Sequence, residues 1–217
     1  MPTGPSGTLA LLHTSPVHVP VFEGLRDADH PGLGLLHLVR EDLLARAREE
    51  GPEAVAPAVA EALAQAVDEG AGAVLCTCST IGGVAEACAA ELGVPVLRVD
   101  RPMAAAAAAA DRIVVVASVH STLEPTLALI REEAAGRGVD LRTLLVEGAW
   151  ELFEAGDHDG YLDAVATAVD GVREADVIVL AQASMADAAL RTTTAVPVLS
   201  SPRRGLRAAA GAIASGA

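Results

Sequence analysis

Aromatic side chains are nearly missing from this chain: they make up 2% of its 217 residues, as two phenylalanines, one tyrosine and one tryptophan. A core without them is built from small aliphatic groups, and the 52% hydrophobic fraction is dominated by alanine, valine and leucine. Long apolar runs are missing too. None approaches the roughly 18 residues that a membrane span needs, so no membrane partner is expected. The alanines at 104–110 are too short for one, and alanine's propensity makes that run a helix. The opening MPTGPSG has neither the basic nor the apolar region of a signal peptide, which gives the expectation of a cytoplasmic location.

Positive charge is scarce, with 15 basic residues against 29 acidic ones and a net charge of -14. A nucleic-acid partner calls for a basic face, so none is expected. The small cluster Arg203, Arg204 and Arg207 reads as a solvated helix face, and the acidity as a source of solubility. Cysteine is limited to Cys76, Cys78 and Cys88, which is no secreted disulfide framework. In an extended strand Cys76 and Cys78 point to one side with Cα atoms about 6.5 Å or more apart, a poor span for a disulfide. No second Cys/His pair at ligand spacing completes a metal site, so no metal is expected. The absence of a CxxC pair argues against a thiol redox protein.

What is present is a repeat with one member changed. Residues 73–81 read AVLCTCSTI and residues 177–185 read VIVLAQASM. Each is an apolar strand pattern running into small residues at a helix start, and each is followed by VPVL, at Val94–Leu97 and Val196–Leu199. Leu9 falls opposite Ile113 and Cys78 opposite Gln182 at the same offset. The second VPVL comes two residues early, as a loop deletion would produce.

Strand and helix signals alternate throughout. Strands are expected at Thr8–Leu12, Leu33–Val39, Ala73–Thr77, Pro95–Val99, Ile113–Ala117, Leu141–Val146, Val177–Leu180 and Pro197–Leu199. Helices are expected at Val17–Asp29, Glu41–Glu50, Glu53–Glu69, Val84–Leu92, Leu123–Gly136 and Gly160–Val172, with a short one after Leu180 and a closing one at Arg203–Ala214. The alternation argues for an α/β fold with parallel sheets. The expected architecture is two pseudo-symmetric flavodoxin-like lobes. Residues 1–101 with 200–217 form the first and 102–199 the second, with the active-site cleft expected between them.

Ligands of open parallel sheets bind beyond the carboxyl ends of the strands. The residues there are His13, Thr14 and Ser15, then Cys78, Ser79, Thr80, Gly82 and Gly83. In the second half they are Ser118, His120, Ser121 and Thr122, then Glu147, and finally Gln182, Ser184 and Met185. Hydroxyls with one thiol, two imidazoles and one carboxylate suit a small anionic ligand such as a carboxylate, held partly by helix N-terminal amides. At a strand-to-helix junction Cys78 gains thiolate character from the helix start, and His13 on the adjacent strand is expected to add to it. The plainer reading of Cys78 is a small buried hydrophobe. Cys76 and Cys88 read as core and His37 as structural, while His18, His30 and His158 carry no specific signal. The Gln182 amide serves either a ligand or nearby backbone. Thr80, Ser118 and Thr122 either touch ligand or cap helices.

The Cys-Ser-Thr at Cys78–Thr80, the ASVHST at Ala117–Thr122, the AQASMA at Ala181–Ala186 and the doubled lobe together resemble the aspartate/glutamate/hydantoin racemase superfamily over nearly the whole chain. Cys78–Thr80 is similar to the family's first Cys-x-Thr motif. Ala181–Ala186 is similar to the second, which in hydantoin racemases reads Gly-Cys-Ala-Gly-Met-Ala. The resemblance implies chemistry without pyridoxal phosphate or any other cofactor. One thiolate removes the proton next to a carboxylate, a thiol returns it from the other face, and positioned donors stabilise the enolate-like transition state.

This sequence departs from that pattern at Gln182, where the second cysteine is expected. Ser184 stands where glutamate racemases carry a histidine and His13 where they carry an aspartate, while Glu147 matches their second-lobe glutamate. The implied catalytic set is Cys78, Glu147 and His13. The implied substrate-binding set is Thr14, Ser79, Thr80, Ser118, His120, Ser121, Thr122, Gln182 and Ser184. Three functions follow: an isomerase or racemase in which Cys78 pairs with Glu147 or His120, a single-cysteine decarboxylase or isomerase resembling arylmalonate decarboxylase or maleate isomerase, and a small-carboxylate binder without turnover. Superfamily members are often dimers or larger, so a homodimer or higher homo-oligomer is the expectation.

Overall fold

The computed structural model describes residues 7–216; the leading MPTGPS, read above for its lack of a signal-peptide pattern, lies outside them. The chain runs β1 (Thr8–His13), α1 (His18–Asp29), β2 (Gly34–Val39), α2 (Glu41–Glu50), α3 (Ala56–Asp68), β3 (Ala73–Cys76), α4 (Ser79–Ala87), α5 (Ala89–Leu92) and β4 (Val96–Arg98). It continues with α6 (Arg101–Ala107), β5 (Arg112–Ala117), α7 (Leu123–Glu133), β6 (Asp140–Leu145), α8 (Ala149–Glu154), α9 (His158–Asp170), β7 (Val177–Leu180), β8 (Val198–Leu199) and α10 (Pro202–Gly216). Single 3-10 turns occupy Pro52–Val55 and His120–Thr122, and a longer 3-10 segment covers Ala183–Leu190.

Two four-stranded parallel sheets result, ordered β2-β1-β3-β4 and β6-β5-β7-β8. The repeat is visible in their registers. Leu9 pairs with Ala73 in the first sheet and Ile113 with Val177 in the second. The Thr77 N–H donates to the Leu12 carbonyl at 3.0 Å, and its counterpart, the Ala181 N–H, donates to the Val116 carbonyl at 2.9 Å. The fold is thus two flavodoxin-like α/β lobes. One compact unit holds the chain up to Val99 together with the segment from Pro202, and the other holds Asp100–Ser201.

Strands covered on both faces read as continuous apolar runs, as TLALLH, RIVVVA and VIVL do here. In the first unit Ala10, Leu12, Val74 and Cys76 face Leu43, Val59, Leu63 and Ile81. The alternate residues Leu9, Leu11, Ala73 and Leu75 face Phe22 and the α10 stripe Leu206, Ala209, Ala210 and Ile213. That helical spacing is why the last segment returns to the first unit. It approaches so closely that a Cβ on Gly205 would lie 2.6 Å from the Val99 carbonyl oxygen. In the second unit Val115 and Val179 face Leu127 and Ile130, while Val116 and Leu180 face Tyr161, Val165 and Met185.

Three local expectations are corrected. The helix after β3 begins at Ser79 rather than Val84, because Ile81 and Ala85 insert into the core beside Cys78. The alanine run is helical only to Ala107, where Met103, Ala104 and Ala107 supply the buried face. The helix α8 was not expected. It follows Gly148, whose φ of 75° is left-handed, and it seats the buried Ala149. Among the described residues no helix is long and apolar enough to cross a membrane.

Candidate active site

The first unit's strand ends carry Cys78. Cys78 is the N-cap of α4, with extended backbone and 8% exposure. The Cys78 side chain makes no cap hydrogen bond to this helix, and a helix start is the end that suits an anionic group. Ser79 and Thr80 form that first turn, Ser79 buried and Thr80 half-buried. The Cys76 thiol, fully buried, donates to the Cys78 carbonyl at 3.6 Å. From the end of β4 the buried Arg98 lies across the following turn of α4. A Cβ on Gly82 would sit 3.1 Å from its Nε, and one on Gly83 3.6 Å from a terminal nitrogen. The paired glycines admit the guanidinium there.

His13 ends β1, Thr14 follows it, and both are buried. The His13 Nδ1 lies 2.9 Å from the Thr77 hydroxyl, and its Nε2 lies 2.9 Å from Nδ1 of His37. The Thr77 hydroxyl donates to the Leu12 carbonyl at 3.1 Å, so its single hydrogen is committed and His13 Nδ1–H must be the donor to it. Nε2 of the neutral ring then accepts from His37. Burial, with His18 and His37 nearby, holds His13 down to about 3. His13 is therefore a neutral, doubly hydrogen-bonded ring. The expected imidazolium beside Cys78 is corrected: desolvation removes the charge that was to favour the thiolate. His37, read as structural, is the partner that orients this ring.

The second unit's strand ends carry a continuous hydroxyl–amide chain. The Ser118 backbone N–H donates to Gln182 Oε1 at 2.7 Å, and the Ser118 hydroxyl donates to the same oxygen at 3.0 Å. Ser118 Oγ is 3.3 Å from the Tyr161 hydroxyl, which is 2.9 Å from Ser184 Oγ. Tyr161 is 1% exposed, and burial pushes its phenol up. The helix that carries it is capped at its start by Asp157, whose carboxylate accepts from the Gly160 N–H.

His120, Ser121 and Thr122 form the 3-10 turn before α7. His120 is exposed, Thr122 is buried at the N-cap without a side-chain cap bond, and the buried Ser121 Oγ has no hydrogen-bond partner among the described residues. Glu147 is exposed in the turn before α8. The structure thus ties Ser118, Gln182 and Ser184 into one network and gives Glu147 and His120 no share in it. Tyr161, missed from sequence, had only its uniqueness as a signal.

Arranged in this way, the first unit offers a nearly buried thiol at a helix start, and the second offers an oriented carboxamide. Among the described residues no group of three His, Cys, Asp or Glu side chains is placed to hold a metal. No curated protein sequence matches the chain. Several solved structures share its fold, among them the following three. Aspartate racemase from Picrophilus torridus has a TM-score of 0.70 at 14% identity, covering 97% of this chain and 94% of that one. Allantoin racemase from Klebsiella pneumoniae has a TM-score of 0.70 at 17% identity, covering 97% and 89%. A double mutant of arylmalonate decarboxylase in its liganded form, with one glycine changed to cysteine and one cysteine to serine, has a TM-score of 0.65 at 20% identity, covering 97% and 94%. The Asp/Glu/Hydantoin racemase profile matches residues 21–209, and with a match of that extent this chain belongs to the Asp/Glu/hydantoin racemase family.

Proposed function

We propose that this protein is a cofactor-independent enzyme that transfers a proton at the carbon next to a carboxylate of a small acid, with Cys78 as the principal acid/base. The observation that carries this reading is the place of Cys78: a family Cys-x-Thr motif whose cysteine is the N-cap of α4. The start of α4 and the Thr80 hydroxyl are assigned to substrate oxygen. Such donors stabilise the enolate-like charge as it develops.

Gln182 occupies the repeat position of Cys78, and an amide neither takes nor gives a proton near neutral pH. A two-thiol racemisation is therefore not assigned. The isomerase reading draws its second acid from Glu147 or His120, both exposed and outside the Gln182 network. The single thiol favours a second reading, decarboxylation. Loss of CO2 leaves one carbanion that needs one proton, and Cys78 supplies it.

Proton–deuterium exchange and CO2 release are to be followed on a panel of small α-substituted acids and malonates with wild type and Cys78→Ala. Exchange abolished by Cys78→Ala supports the isomerase reading, and Cys78-dependent CO2 release supports the decarboxylase. Equal exchange and equal release in the two proteins would remove Cys78 from the chemistry.

A further inference from the structure

We propose that Tyr161 is a positioning residue that locks the Gln182 carboxamide with both N–H groups turned to substrate, making the second unit a receptor for a carboxylate or carbonyl oxygen. This rests on the reading of these strand ends as a substrate site.

Each hydrogen along the network can serve one acceptor. An amide oxygen only accepts and a backbone N–H only donates. The 2.7 Å contact from the Ser118 N–H therefore fixes which end of the Gln182 amide is oxygen; a flipped amide would set two donors against each other. The Ser118 hydroxyl also meets that oxygen, so its hydrogen is committed to Gln182. Its contact with Tyr161 must then use the tyrosine hydrogen, and the Tyr161 contact with Ser184 must use the serine hydrogen. One order remains: Ser184 donates to Tyr161, Tyr161 to Ser118, and Ser118 to Gln182.

The consequence falls on the far end of the amide. With Oε1 taken twice, Gln182 has only its two N–H donors to offer, and Nε2 makes no hydrogen bond among the described residues. Gln182 is half-buried at the N-cap of the Ala183–Leu190 segment. Tyr161 cannot relax the arrangement, since its ring is enclosed and tilted against Phe153 at 5.2 Å between centroids. Where the repeat lost a thiol, the second unit gained a fixed hydrogen-bond donor. Such a donor discriminates for an oxygen acceptor and against a group that is itself a donor.

The test is calorimetric titration of the full-length protein with malonate, succinate and phenylacetate. At least one of them is expected to bind wild type. Gln182→Glu, which keeps an acceptor oxygen for Ser118 and removes the donors, is expected to weaken that binding at least tenfold. Tyr161→Phe is expected to weaken it about three- to tenfold in wild type and not at all in Gln182→Leu, because Tyr161 acts only through the amide. The Gln182 side-chain amide signals in a nitrogen–proton NMR spectrum are expected to move in Tyr161→Phe. Should that variant not fold, Ser184→Ala interrupts the same chain at its outer end.

Equal binding by wild type and Gln182→Glu overturns the proposal and leaves the role of Cys78 standing. An equal loss from Tyr161→Phe in both backgrounds also overturns it. Failure of every probe to bind, with Cys78-dependent turnover intact, overturns it as well. Failure of binding together with absence of that turnover overturns the underlying reading too.

Discussion

The His13 ring donates to the Thr77 hydroxyl at 2.9 Å, one residue before Cys78, and so ties the end of β1 to the end of β3. Thr77→Val keeps the side-chain shape and leaves a buried imidazole N–H without its acceptor. Urea denaturation is expected to show a loss of about 1–3 kcal/mol, with Thr77→Ser close to wild type. Equal stability of Thr77→Val and wild type would mean that the ring finds another acceptor.

Acid should destabilise the first unit. Burial lowers His13 from 6.5 to about 3 and His18 from 6.5 to about 4. The unfolded chain takes up these protons near 6.5, whereas the native state refuses them until far lower pH. Native stability is therefore complete above about pH 6.5 and falls below it, to about pH 4 through His18 and to about pH 3 through His13, at roughly 1.4 kcal/mol per pH unit for each imidazole at full slope. Chemical denaturation at a series of pH values measures the limb, and His18→Leu is expected to flatten it.

Two glycines of α10 should respond in opposite directions to alanine. At Gly205 the new methyl would meet Val99 backbone and side chain at 2.6 Å, and a loss of at least about 1–3 kcal/mol is expected from overpacking. At Gly211 nothing lies within 4 Å, and the better helix propensity is expected to add roughly 0.8–1 kcal/mol. Thermal melts of the two single variants check the sign of each.

The three thiols should separate by reactivity. Cys76 is fully enclosed, and Cys88, whose thiol donates to the Val84 carbonyl at 3.4 Å, is pushed up by burial and by Glu91. Cys78 stands at a helix start. Brief alkylation at about pH 6 followed by peptide mapping is expected to mark Cys78 first. Prior labelling of Cys88 would contradict the acid/base role proposed for Cys78.

The duplicated strand–helix pattern was legible because buried parallel strands leave unbroken apolar runs, and TLALLH and RIVVVA are such runs. The start of α4 was not legible. Thr80, Ile81, Gly82 and Gly83 are poor helix formers, and only packing around Ile81 and Ala85 and the seat for Arg98 hold them helical. Cys78 and Gln182 stood out by repeat alignment, yet the orientation of the amide depends on Tyr161, which reaches Ser118 across 43 positions of sequence. The silence of His13 was equally hidden, since a ring's charge depends on what encloses it.

The scarcity of aromatic residues gives the two units unequal optical visibility. Trp150 stacks on Phe153 at 4.8 Å, and Phe153 lies against Tyr161. With one tryptophan and one tyrosine in the chain, both in the second unit, the first unit retains only Phe22. Intrinsic tryptophan emission therefore reports events in the second unit, while Cys78 and the histidine cluster sit in one that has no tryptophan or tyrosine of its own. A tryptophan placed on the exposed surface of the first unit would give it a signal of its own and let the folding of each half be followed separately.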